Sequence, residues 1–263
     1  MRSSMKKSKD IEVVRLTSLE EYKQKECIVF EIPLTIILNG KELVTLQCTP
    51  EKLEYLAVGF LLSEGIVKQG TNIKNISLNE RGWYVQVELH EELPADHDSS
   101  FKRVIGSGCA GGVSFYRSID AKDCTPLDSQ IRFPRDKVFS LMKEFQQDST
   151  LYQDTHGVHS CGLFSQTGVV SFADDIGRHN AVDKILGECF LKKIPVQDKV
   201  ILTTGRISSE ILIKVAKQQI PIIISRSAPT DLAVSLADKL RITLIGFVRG
   251  KRMNVYTYRD RII

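Results

Sequence analysis

Between residues 179 and 248, amphipathic stretches and short apolar runs take turns along the chain. A helical pattern at 179–192 leads to VILTT at 200–204, a second helix at 208–219 to PIIIS at 221–225, and a third at 229–239 to ITLIGFV at 242–248. Runs of four to seven apolar residues without polar alternation suit strands buried on both faces, and buried strands joined through helices form a parallel sheet. A β-hairpin pattern at 161–174, turning at Gln166 to Gly168, precedes them, and a helix at 137–147 presents Val138, Leu141, Met142 and Phe145 on one face. The fold class is therefore α/β (α+β over the whole chain). Its second half, 131–263, is a three-layer domain whose mixed sheet is largely parallel, with an antiparallel hairpin at one edge.

The first half follows a different pattern. Residues 28–38 and 41–47 are β-rich and joined by Asn39-Gly40, the strongest short hairpin signal. A helix follows, with Thr49 as N-cap, Pro50 at the first helical position, a buried face of Leu53, Leu56, Ala57, Phe60 and Leu61, and Gly65 as the stop. Strands near 73–78 and 83–89 complete a ββαββ unit, and the polar segment 90–100 reads as a linker. The smaller domain is placed at 1–130.

With 42% hydrophobic and 26% charged residues this is ordinary globular composition, and a net charge of +4 lacks the clustered basic stripe of a nucleic-acid binder. No run approaches the roughly 18 apolar residues of a membrane span, and the lysine-bearing N-terminus has no apolar stretch behind it, so the expectation is a cytoplasmic protein without a membrane partner. Six scattered cysteines, at 27, 48, 109, 124, 161 and 189, form no CxxC and no zinc-finger spacing. Cys189 lies on a helical apolar stripe, and Cys27 and Cys48 flank the first hairpin, where packing explains them; Cys124 and Cys161 stay open.

Cys109 is different. It sits in GSGCAGG at 106–112, among four glycines and shortly after Lys102 and Arg103. Glycine-rich backbone suits a presented group better than a packed one, and neighbouring cations favour thiolate, so Cys109 reads as a nucleophile or sulfur carrier. Three other loops follow strands of the α/β half, where ligands of open sheets bind. TTGRISSE contains Gly205, Arg206 and Ser208 or Ser209 as a helix cap. SRSAPTD contains Arg226, with Ser227 capping the helix that Pro229 starts, and Thr230. FVRGKR runs through Phe247, Val248, Arg249, Gly250, Lys251 and Arg252. Helix starts and five cations on one sheet edge suit a phosphate or nucleotide, although the spacing matches no standard phosphate loop. DDIGRHNAVDK, with Asp174, Asp175, His179 and Asp183, admits an acid/base reading and a packing one equally. His156 and His159 lack a third ligand at persuasive spacing, so no metal site is assigned.

TPEKLEYLAVGFLLSEGI, GSGCAGG, THGVHSCGLF, ADDIGRHNAVDKILG, TTGRISSEILIK, SRSAPTDLAVSLA and TLIGFVRGKRMNVYT, in that order over 28–258, resemble the formate dehydrogenase accessory sulfurtransferase family, FdhD. The resemblance implies a cytidine-deaminase-like larger domain. It implies a sulfurtransferase that takes sulfur from a cysteine desulfurase as a persulfide on Cys109 and passes it to the molybdenum cofactor, molybdopterin guanine dinucleotide, for formate dehydrogenase. It makes Phe247 to Arg252 the cofactor-binding segment and suggests a homodimer; with Gly205, Arg206, Ser208, Ser227 and Thr230 of the strand-end loops and His179 of the helix start, that segment forms the expected cofactor-binding surface. Many members carry CxxC in the cysteine loop. Here Cys109 is followed by Ala110, Gly111 and Gly112, which favours a single-thiol relay. Zinc deamination is excluded, because the matching helix starts carry His179-Asn180-Ala181 and Gly205 to Ser209 in place of HxE and PCxxC. Two rivals remain: a non-catalytic chaperone of the same cofactor, and a nucleotide hydrolase using His179 with Asp174 or Asp175.

Overall fold

The computed structural model describes residues 5–68, 70–90, 103–105 and 124–263. Cys109, its glycine loop and most of the predicted linker lie outside the described residues. Chain order is β1 (Ser8–Leu16), β2 (Glu21–Val29), β3 (Ile32–Leu38), β4 (Lys41–Cys48), α1 (Leu53–Ser63), β5 (Ile73–Asn79), β6 (Tyr84–Leu89) and β7 (Arg103–Ile105). Then come α2 (Arg135–Asp148), α3 (Thr150–Thr155), β8 (His159–Ser165), β9 (Gly168–Asp175), α4 (Arg178–Leu191), β10 (Val200–Thr203), α5 (Ser209–Lys217), β11 (Ile222–Ser225), α6 (Asp231–Lys239), β12 (Thr243–Arg249) and β13 (Arg252–Val255). No helix among the described residues is long and apolar enough to cross a membrane.

The β3–β4 hairpin turns where Asn39-Gly40 predicts it, with both residues at positive φ (47° and 79°), as a type I′ turn requires. Alternation sends Leu34, Ile36 and Leu38 inward from β3, and Val44, Leu46 and Cys48 inward from β4. Together with α1 they form the core of a five-stranded sheet ordered β5-β6-β3-β4-β7. The helix begins three residues later than its sequence suggests. Lys52, in the left-handed region, precedes it without a side-chain cap, because the Thr49 hydroxyl is engaged elsewhere: it donates to Asp175 Oδ2 (3.0 Å) and accepts from Lys184 Nζ (2.8 Å).

The six-stranded sheet is ordered β13-β12-β11-β10-β8-β9. Strands β10, β11 and β12 are parallel and the β8–β9 hairpin is antiparallel at one edge, as the sequence implies. A second antiparallel strand, β13, covers the other edge after a turn in which Gly250 takes φ +57°. The parallel part is thus three strands of six. Period-two burial divides the strands between two helical layers: Val200, Leu202, Ile222, Ile224 and Ile245 pack against α2, whereas Ile201, Ile223 and Leu244 pack under α4, α5 and α6. Ser208 caps α5 by accepting from Ile211 N, as read; α6 is capped by Thr230, accepting from Ala233 N, in place of Ser227.

Helices α1 and α4 join the two halves at very close range. A methyl group on Gly59 would lie 1.8 Å from Asp183 O, and one on Gly187 would lie 2.0 Å from Tyr55 O, so only glycine permits this crossing. Buried ion pairs flank it: Asp175 with Lys184, and Asp183 with Lys214 (2.5 Å), the latter carboxylate also accepting from Ser63 Oγ (2.5 Å).

Candidate functional site

The carboxyl ends of β10, β11 and β12 open into a cleft of about 490 Å³. Thr204, Arg226 with Ser227, and Arg249 enter it from these three strand ends in turn. Because β8 runs antiparallel to β10, it begins at the same edge and brings His159 and Ser160. Ser149, Tyr152 and His156 arrive from α3 and its flanks, and Gln146 from the end of α2.

Local geometry fixes these groups. Ser149 caps α3, its Oγ accepting from Tyr152 N at 3.1 Å, and donates to the Asp174 carboxylate at 2.9 Å. His156 ends α3 in the left-handed region (φ 53°). Its Nδ1 lies 2.7 Å from Tyr152 O, and its ring sits 5.2 Å from that of Tyr152 at a 37° tilt. With its oxygen turned toward Arg226, the Gln146 amide accepts from Nη1 and Nε at 3.1 and 3.2 Å, which steadies that guanidinium at the cleft wall. His159 Nδ1 is 3.5 Å from Thr204 Oγ1, and burial, reinforced by Arg178, holds this imidazole below its usual proton affinity. Burial likewise raises the Asp174 carboxyl above its ordinary value, partly offset by hydroxyl hydrogen bonds. Hydroxyl, imidazole and two guanidinium donors around one concavity have the chemistry that an anion requires.

Of the residues the sequence singles out, Arg226, Ser227 and Arg249 of the strand-end loops line this cleft, together with His156 and His159, which the sequence presents only as a metal pair lacking a third ligand. Phe247 is 38% exposed in the left-handed region (φ 54°) and donates its N–H to Ser227 O (3.1 Å). Val248 is packed in the α2 core. Gly250, Lys251 and Arg252 form the exposed β12–β13 turn, with Arg252 paired to Arg249 across the ladder. Gly205 makes room for Arg178, since a methyl group there would lie 2.9 Å from Arg178 Cβ. Ser208 and Thr230 are helix caps, and Arg206 is exposed. His179 sits at the start of α4, Nε2 3.4 Å from Glu210 Oε2, and outside the cleft lining.

The acid/base reading of DDIGRHNAVDK does not assemble. Asp175 is fully buried against Lys184 (2.7 Å), Thr49, Gly177 N and Asn180, while Asp174 is held by Ser149. Neither carboxylate orients His179, whose recorded ionic neighbour is Glu210. Among the described residues no group of three or more His, Cys, Asp or Glu is gathered as a metal site would require.

Four of the five described cysteines are shut away from solvent. Cys48, Cys124, Cys161 and Cys189 are buried, and Cys27 is half-buried. Burial pushes the Cys48 and Cys189 thiols up to about 12 and raises Cys161 well above its ordinary value, disfavouring the thiolate that sulfur exchange needs.

Residues 29–263 match the model of the FdhD/NarQ family. The chain belongs to the FdhD/NarQ family. It is 45% identical over 251 residues to a Bacillus subtilis protein named sulfur carrier protein FdhD, an alignment spanning 95% of this chain and 96% of the relative. A Staphylococcus aureus protein of the same name is 39% identical, again over 95% of each chain. Among solved structures, a Desulfotalea psychrophila protein described as a candidate formate dehydrogenase accessory protein superposes with a TM-score of 0.81 at 28% identity, over 97% of this chain and 99% of that one. This FdhD/NarQ member thus shares the family's mixed α/β architecture along nearly its full length.

Proposed function

We propose that the protein is a sulfur carrier acting as a sulfurtransferase for formate dehydrogenase. In this reading the Cys109 thiolate attacks the outer sulfur of a cysteine desulfurase persulfide. A sulfur–sulfur bond forms at Cys109 while that of the donor breaks, and the donor leaves as cysteine thiolate. Delivery of that sulfur as sulfide to a molybdopterin guanine dinucleotide cofactor, the client, breaks the new sulfur–sulfur bond with two electrons from an external thiol reductant and returns Cys109 as thiolate, while the phosphates of the client rest in the strand-end cleft on Arg226 and Arg249. Cytoplasmic location and a homodimer belong to the same reading.

The observation that supports it is the state of the other cysteines: four are buried, and three of these have thiols raised by burial, which leaves half-buried Cys27 on strand β2 and Cys109, and the glycine-rich sequence favours Cys109. The names of the relatives point the same way. A second reading, a non-catalytic cofactor chaperone, is favoured by the cleft alone, whose lining needs no thiol.

Complementation of a strain lacking its own family member separates the two. Cys109→Ser keeps the size of the side chain but cannot hold a persulfide, and on the sulfur-carrier reading it leaves formate dehydrogenase inactive while nucleotide affinity is retained. Turnover restored by Cys109→Ser replaces this reading with the chaperone.

A further inference from the structure

At the opposite edge of the six-stranded sheet, where β12 begins, a second cavity of about 400 Å³ is lined by Arg132, Arg241, Arg261 and Tyr258, with Asp128 and Asp260 also on its wall. Arg261 is only 5% exposed. Its Nε donates to Ser129 O (3.2 Å), its Nη1 donates to Arg241 O (2.6 Å) and Thr243 Oγ1 (3.2 Å), and its guanidinium lies over the Tyr258 ring at 5.2 Å. These partners are neutral. Among the described residues no carboxylate pairs with Arg261, Arg132 or Arg241.

Carbonyl and hydroxyl oxygens satisfy the N–H groups but do not cancel a charge, and a buried cation ordinarily has an anionic partner. Burial pulls the Arg261 proton affinity down; Tyr258 opposes this in part, and the positive charge of Arg132 adds a smaller push in the same direction as burial. Three arginines less two aspartates leave the cavity wall at +1. A planar guanidinium presents paired donors that match the oxygens of a phosphoryl group, and three around one concavity can hold several of its oxygens together.

We infer that this cavity is a second anion site, which takes a phosphoryl group between Arg132, Arg241 and Arg261 and is distinct from the strand-end cleft. The occupant is inorganic phosphate or the terminal phosphate of a nucleotide, both presenting the same oxygens. The inference rests on these residues alone and is independent of the sulfur-carrier reading.

Backbone amide resonances of the full chain, followed at constant ionic strength during titration with inorganic phosphate, test it. Saturable shifts at Ser129, Arg241 and Thr243 are expected. They persist in Arg226→Gln, which disables the cleft, and weaken at least fivefold in Arg132→Gln, an exposed position whose replacement leaves the fold intact. Arg261→Gln abolishes them wherever that variant folds. A nucleoside monophosphate binding no tighter than phosphate identifies the free ion as the occupant, and tighter binding identifies a nucleotide. Shifts confined to the cleft residues, or equal shifts with acetate, overturn the site.

Discussion

Lys184 Nζ lies 2.7 Å from Asp175 Oδ2, and neither side chain is exposed at all. Lys184 also donates to Thr49 Oγ1 and to the carbonyls of Thr49 and Asp174, so one ammonium ties the end of β4 to the end of β9. Removing it strands a buried carboxylate. Lys184→Met is expected to lose about 3–5 kcal/mol of stability, and adding Asp175→Asn to return part of it, because a neutral pair tolerates burial better than a lone charge. Denaturant unfolding of both variants measures this; equal stability of Lys184→Met and wild type refutes it.

The helix crossing gives a second prediction with opposing contributions. Alanine is a better helix former than glycine by about 1 kcal/mol, which alone makes Gly187→Ala stabilising. The added methyl would lie 2.0 Å from Tyr55 O, however, and relieving it moves packed backbone. Overpacking of this kind costs about 1–3 kcal/mol or more, so Gly187→Ala and Gly59→Ala are both expected to lower the unfolding midpoint. A raised midpoint contradicts the packing described.

His179 carries a pH signature. Burial first, then Lys214 and Arg178, hold its proton affinity far below the ordinary value of 6.5, at about 3. Between those values the unfolded chain binds a proton that the folded chain does not, so the imidazole contributes stability that is present above 6.5 and lost as pH falls toward 3. His159 acts in the same direction. Stability of His179→Asn measured from pH 7 to pH 4 is expected to fall less steeply than that of wild type, and parallel curves sink the assignment.

The cleft distinguishes cations that the sequence treats alike. Arg226 and Arg249 line it, whereas Arg252 points from the start of β13 and does not. Charge-assisted hydrogen bonds contribute about 1.5–3 kcal/mol each, so Arg226→Gln and Arg249→Gln are each expected to weaken guanine nucleotide binding tenfold or more, and Arg252→Gln by far less. Calorimetry with all three variants decides it; an equal loss at Arg252 moves the site to the turn.

Local and long-range information separate at particular residues. Asn39-Gly40 and the runs VILTT, PIIIS and ITLIGFV encode structure through short-range chemistry: the turn falls on Asn39-Gly40 and the three strands stand within a residue or two of expectation, whereas the run expected at 28–38 is divided, residues 28–29 ending β2 and β3 beginning only at Ile32. Hairpin β1–β2 leaves little trace in the sequence, because its alternation is between charged and half-exposed positions with little apolar contrast. Thr49 is a helix cap by type but lies 3.0 Å from Asp175, 126 residues away, a pairing no local pattern encodes. The cleft is half legible: its strand-end loops carry their cations and hydroxyls in local sequence, but no local pattern brings His159, Tyr152 and Gln146 to them. A signal for His159 existed, since an antiparallel neighbour of β10 has to begin where β10 ends.

The central claim is that sulfur is carried on Cys109, and intact mass after incubation with a cysteine desulfurase and cysteine tests it most directly. Wild type is expected to gain one sulfur that reductant removes, Cys109→Ala to gain none, and Cys124→Ala, Cys161→Ala and Cys189→Ala to gain it as wild type does. A reductant-labile sulfur retained in full by folded Cys109→Ala contradicts the account.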